Sequence, residues 1–209
     1  MRLGIALTIL MSLMIVTGCN DPAADQPRAT TGAATQASPQ NVAGTKYVIT
    51  PQNSKIDFIG SKVTGSHNGG FEKFSGEIDY AGAPERSRVS VTIDTNSITT
   101  DDANLTKHLK TADFFDVAKF PEAKFVSTEI KSGGASGASH TISGNLTMHG
   151  VTKSVTFPAT ISVTPDAANV DANFSINRKD FGISYAGAPD NLIRDDVVLK
   201  LTIRAAKGT

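Results

Sequence analysis

The chain has 209 residues, 20 Lys plus Arg against 20 Asp plus Glu, and 39% hydrophobic residues. Balanced charge leaves no electrostatic footprint for nucleic acid, and that partner class is set aside. With one cysteine, Cys19, an internal disulfide and a cysteine-rich metal site are both excluded.

Arg2 precedes an apolar run over residues 3–16, too short for a comfortable membrane span and suited to a secretory leader. The run ends in Val16-Thr17-Gly18-Cys19, which resembles the bacterial lipobox. That resemblance implies cleavage after residue 18, lipidation of Cys19 and a membrane anchor. Asn20 after the cysteine leans towards the outer over the inner membrane, on the periplasm-facing side of the envelope. Residues 19–45 carry little to bury and are expected as the lipidated N-terminus and a disordered tether. The folded domain is expected over 46–209.

In that domain Tyr47-Val48-Ile49 opens the fold. Strand patterns follow over 55–63, 71–80, 88–94, 124–130, 140–148, 151–163, 170–176 and 197–203. Most alternate polar and apolar residues, as half-buried strands do. Gly65 to Gly70 is glycine- and asparagine-rich and is expected as a turn or bend. His149-Gly150 reads as a tight hairpin turn. The exception is 99–125, where Thr99, Thr100, Asp101 and Asp102 offer helix caps and Leu105 and Leu109 fall on one helical face. The fold class is therefore all-β: an eight-stranded antiparallel barrel with a short helical insert capping one end. Closure removes exposed strand edges and favours a barrel over a sandwich.

Several motifs, in order, resemble the YceI-like family: Gly70-Phe71, Phe74-Ser75-Gly76-Glu77-Ile78, Ser97-Ile98-Thr99-Thr100, His108-Leu109-Lys110 and Asp113-Phe114-Phe115-Asp116-Val117. Phe120-Pro121 with Phe125, Gly144-Asn145-Leu146-Thr147-Met148-His149-Gly150, Arg178-Lys179-Asp180-Phe181-Gly182-Ile183 and Asp195-Asp196-Val197 continue the match, which covers residues 46–205. The chain departs from many relatives at Leu105-Thr106-Lys107 and Asn53-Ser54, so a head-group contact through those positions is not carried over. The resemblance implies a lipocalin-like barrel that binds a polyisoprenoid, an isoprenoid quinone or a fatty amide or acid for storage, transport or protection.

The side chains expected to line a pocket are Phe58, Phe71, Phe74, Ile78, Leu109, Phe114, Phe115, Phe125, Phe174 and Phe181. Composition alone favours a packed core, and the family resemblance turns the reading towards a pocket. Gly60, Gly76 and Gly144, on inward registers, leave space inside. His108, Arg178 and Asp180 are candidate polar contacts at the mouth, with Arg178 and Asp180 a candidate ion pair across the bend. His67 and His149 are expected in exposed turns, and no histidine pair has metal-site spacing. No cofactor loop or catalytic motif accompanies them, so the chain is read as a binding protein rather than an enzyme. Two alternatives stay open: a solid structural barrel that recruits a partner, and an enzyme using His108 with Asp102 or Asp113 on a lipid-like substrate. The expected partners are a long apolar small molecule and the membrane, with a homodimer also open.

Overall fold

The computed structural model describes residues 21–36 and 44–208. The expected leader, residues 1–18, and Cys19 lie outside the described residues. In chain order the strands are β1 (Thr30–Ala33), β2 (Thr45–Ile49), β3 (Lys55–Lys62), β4 (Gly65–Phe71), β5 (Phe74–Tyr80), β6 (Arg88–Asp94) and β7 (Ile98–Thr100). After helix α1 (Ala103–Leu109) come β8 (Glu122–Ser132), β9 (His140–Met148), β10 (Val151–Val163), β11 (Ala167–Asn177), the short ribbon β12 (Gly187–Ala188) and β13 (Asn191–Leu192), and β14 (Asp196–Lys207).

The pairing closes a ring through β2, β5, β6, β8, β9, β10, β11 and β14, every junction antiparallel. Three walls continue past a break. β14 pairs with β2 near its end and with β3 near its start, β4 pairs with β3, and β7 pairs with β4. The result is a closed eight-walled antiparallel barrel. β8 carries a bulge between Ser127 and Glu129. There the buried Ser127 Oγ accepts the Val89 N–H at 2.8 Å, so the irregularity leaves no orphaned donor at that point.

Alternation sends one face of each wall inward. Ile49, Ile78, Val91, Ile142, Val155, Phe157, Val170, Phe174 and Ile203 belong to one buried cluster. Phe157 and Phe174 stack there, with centroids 4.2 Å apart and planes at 9°. Tyr47 is buried at one end, where its hydroxyl donates to the Thr164 carbonyl at 2.7 Å. At the other end Phe58, Ile98, Leu109, Phe114 and Ile183 form a second cluster beneath α1. The β9–β10 hairpin turns at His149 (φ 51°) and Gly150 (φ 75°), as a two-residue turn with both centres left-handed requires.

Three expectations are corrected. Gly65 to Gly70 forms most of strand β4, and the chain reverses before it, at Val63-Thr64. Glycine serves close approach there: a Cβ on Gly69 would sit 2.3 Å from the Phe58 ring. Secondly, Gly76 and Gly144 do not open space. A Cβ on Gly76 would meet the Ser90 carbonyl oxygen at 2.5 Å, and the Phe125 ring fills the place a side chain on Gly144 would take.

Thirdly, residues 21–36, expected as part of a tether, lie against the barrel. β10 and β11 pair only through residues 160–163 and 168–171. Further along the seam the N-terminal arm inserts: β1 pairs antiparallel with residues 153–156 of β10, and Arg28 bridges Ser175 of β11. Ser175 N–H donates to the Pro27 carbonyl at 2.9 Å, and Ala29 N–H donates to the Ser175 carbonyl at 2.8 Å. The arm is held mainly by main-chain bonds, which explains why its poverty in large apolar residues does not prevent docking.

Candidate functional site

The barrel encloses a cavity of about 580 Å³ that runs from its middle to the end carrying α1. Eight of the ten aromatic and aliphatic residues expected from the sequence line it: Phe58, Phe71, Ile78, Leu109, Phe114, Phe115, Phe125 and Phe174. Phe74 and Phe181 do not, and this is a correction. Phe74 is packed into the barrel core, and Phe181, on the short 3-10 turn Arg178–Phe181, is buried completely. Gly60 also lines the cavity, with nothing within 4 Å of where a Cβ would stand.

The mouth is framed by α1, the β3–β4 hairpin and the segment 183–194. Asp102 starts α1, its Oδ1 accepting the Asn104 and Leu105 N–H groups, each at 2.8 Å. The Leu105 bond is the main reason its carboxyl is held below the usual carboxylate range. The helix turns the buried Leu109 inward, and Phe114 follows in the next turn to cover the cavity. Ile183, Tyr185 and Ile193 complete this rim, and none was expected from the sequence. Their segment has no periodic pattern, so burial there leaves no trace in hydropathy.

The polar side chains of the mouth are largely engaged with one another. His108 Nε2 lies 2.7 Å from Asp113 Oδ2, and its ring meets Phe114 and Tyr185 edge-on at 5.0 and 5.2 Å. Asp102, the other carboxylate considered for His108, is occupied as the helix cap. Among the described residues no hydroxyl or thiol is hydrogen-bonded to the His108 ring. His67 lies at the mouth as well, with Nδ1 2.7 Å from Asp101 Oδ1. The Asn68 N–H, and then His67, hold the Asp101 carboxyl below its ordinary range. The second His–Asp pair was missed because the glycines around His67 disguised its strand.

Arg178 is buried against the cavity wall. It donates to the Ile183, Arg194 and Ile193 carbonyls at 2.9, 3.1 and 3.4 Å and to Asp195 Oδ1 at 3.3 Å. Burial pushes its pKa below the usual guanidinium range, against the pull of Asp195. The ion pair expected with Asp180 is not formed, because Asp180 accepts from Thr31 Oγ1 of the arm at 2.6 Å and does not line the cavity. Arg178 therefore staples the 183–195 segment. The polar atom left over is the buried Ser61 Oγ in the cavity wall, which has no hydrogen-bond partner among the described residues.

A large apolar chamber inside a closed barrel, with polar groups gathered at one mouth, suits an elongated apolar guest. The YceI-like domain model matches residues 47–205, most of the chain. The chain belongs to the YceI-like family. Members similar to it include a UPF0312 protein of Pseudomonas putida GB-1, 42% identical over 137 residues, covering 62% of this chain and 70% of that one. Another, from Pseudomonas syringae pv. tomato, is 35% identical over 164 residues, covering 74% and 84%. Among solved structures, BcnA of Burkholderia cenocepacia superposes with a TM-score of 0.66 at 25% identity, over 75% of this chain and 99% of that one. A domain from Saccharophagus degradans described as polyisoprenoid-binding superposes at 0.62 and 18% identity, over 78% and 99%. That last likeness shows a shared fold.

Proposed function

We propose that this YceI-like protein is an envelope lipoprotein that holds one long apolar chain, isoprenoid or acyl, inside its barrel. The observation that carries the reading is the 580 Å³ cavity walled by apolar side chains. A packed core would leave no such volume, since protein interiors are filled to crystal-like density. At about 30 Å³ per water-sized unit, the space accommodates roughly twenty methylene-sized groups. Burying twenty CH₂ groups contributes about 16 kcal/mol gross. Association costs at least about 4 kcal/mol, so micromolar or tighter affinity is within reach.

The description of the S. degradans domain supports a polyisoprenoid as the guest, and Ser61 is a partner for one polar group at its mouth end. The lipobox-like residues before Cys19 support an acylated N-terminus and a periplasm-facing position, with the outer membrane favoured. The role would be storage, transport or protection of the guest. Binding of a fluorescent polyene fatty acid, and its displacement by a polyisoprenoid alcohol, tests the cavity directly. One site per chain is expected, weakened at least tenfold by Phe114→Ser with Phe115→Ser while the barrel's circular dichroism is kept. A wild-type protein that takes up neither molecule would overturn the reading.

A further inference from the structure

Among the described residues, three of the four large hydrophobic side chains that stand exposed, Val63, Tyr185 and Leu192 at 43%, 38% and 48%, lie at the mouth of the barrel. Val63 is in the β3–β4 turn and Leu192 ends β13, and Val63 N–H donates to the Leu192 carbonyl at 3.1 Å. The two elements also meet through the bridge between Lys62 and Ile193. Tyr185 stands against Phe114 over the cavity, with centroids 5.4 Å apart. An aromatic ring with a polar tip beside two aliphatic side chains suits a boundary that is wet on one side and apolar on the other.

The N-terminal arm places the chain's exit at this same rim. Asp21 Oδ2 accepts from Arg194 at 3.0 Å, and Asp21, Val63, Leu192 and Arg194 border one cleft. Cys19 is two residues from Asp21. At no more than about 3.6 Å per residue, that stretch of chain reaches at most about 7 Å. An acylated Cys19 therefore cannot hold the barrel at arm's length, and it brings the mouth to the bilayer.

We infer that the rim of Val63, Tyr185 and Leu192 is a membrane-docking surface that faces the cavity mouth towards the lipid bilayer carrying the anchor. The inference rests on the anchored-lipoprotein reading above and makes the bilayer the immediate source or destination of the guest. Charges around the cleft are paired among themselves, as Arg194–Asp21, Arg28–Asp196 and Lys179–Asp195. Docking is consequently apolar and does not depend on anionic lipid.

The chain has no tryptophan, so a single introduced one reports alone. Two full-length variants are placed in phosphatidylethanolamine vesicles with brominated acyl chains: Leu192→Trp at the rim, and Val48→Trp on β2, which pairs with the far end of β14. The expected result is at least threefold stronger quenching at position 192 than at 48, unchanged by high salt. Equal quenching of an acylated protein would overturn the inference and leave the anchor standing. If mass spectrometry finds no acyl group on Cys19, the anchoring reading fails separately. The unanchored Leu192→Trp protein with excess vesicles then decides, a blue shift supporting the rim and an unchanged spectrum overturning it. A shift that follows protein concentration without lipid would assign the rim to a second copy and overturn the inference.

Discussion

At Gly60 the cavity wall carries no side chain. The residue faces the chamber with open space where a side chain would be, whereas a Cβ on Gly144 would collide with the Phe125 ring. Gly60→Leu should fill the mouth, reduce guest uptake at least tenfold and leave the melting temperature within a few degrees. Gly144→Leu should destabilise by about 1–3 kcal/mol through overpacking. Thermal melts and probe titration on the two variants check both outcomes. Arg178 tests a different kind of residue. Arg178→Ala removes four donated bonds and leaves the Ile183, Ile193 and Arg194 carbonyls short of partners. A loss of about 3 kcal/mol or more is expected in urea titration. At this scale, the parity of alternation made inward-facing strand residues legible, which is why Phe58, Phe71, Ile78, Phe125 and Phe174 line the chamber as expected, while Leu109, Phe114 and Phe115 reach it from the helical insert. It did not separate cavity wall from solid core, so Phe74 was placed in the lining, and it carried no information about Tyr185 in an aperiodic loop.

The mouth elements depend on carboxylates that accept backbone N–H bonds. Asp102 caps α1, and Asp101 holds the Asn68 N–H at 2.8 Å and His67. Both carboxyls are held below their ordinary values of 3.8 in the folded state. Their contribution is therefore complete above the unfolded value and is lost as pH falls through the lower, folded one. Amide exchange of Asn104 and Leu105 should rise as pH drops from about 4 towards 3, once corrected for intrinsic rates. Asp102→Asn keeps a capping oxygen that does not titrate and should flatten that rise. The cap, Leu105 and Leu109 were readable in sequence because a helix start has its own chemistry. Strand β4 was not, because its glycines serve strand packing in residue types that otherwise mark turns.

The N-terminal arm shows the same limit. Its composition fits a tether, yet main-chain bonds seat it in the β10–β11 seam. Thr30→Pro should remove a ladder donor and speed amide exchange along residues 153–156 of β10 several-fold while the rest of the barrel keeps its protection.

At the scale of the whole molecule, eight alternating walls close on themselves, one end is shut around Tyr47, and the other opens under α1 and the 183–194 segment. The barrel was legible because strand number, alternation and the lack of covering helices leave few ways to bury one face of a sheet. Two features were not legible. The arm fills the stretch of the β10–β11 seam that the two strands leave unpaired, and the divergence that admits it depends on how the walls splay beyond residues 160–163. The hollow interior depends on what side chains fail to fill, a property of three-dimensional fit rather than of pattern. The central claim is that this hollow holds a single long apolar guest. Native mass spectrometry of the protein released gently from its own envelope tests it most directly. The expected result is a complex heavier than the polypeptide and any acyl anchor by the mass of one apolar molecule, released on collisional activation and absent from Gly60→Leu. A protein recovered repeatedly at its bare mass, indistinguishable from Gly60→Leu, would contradict it.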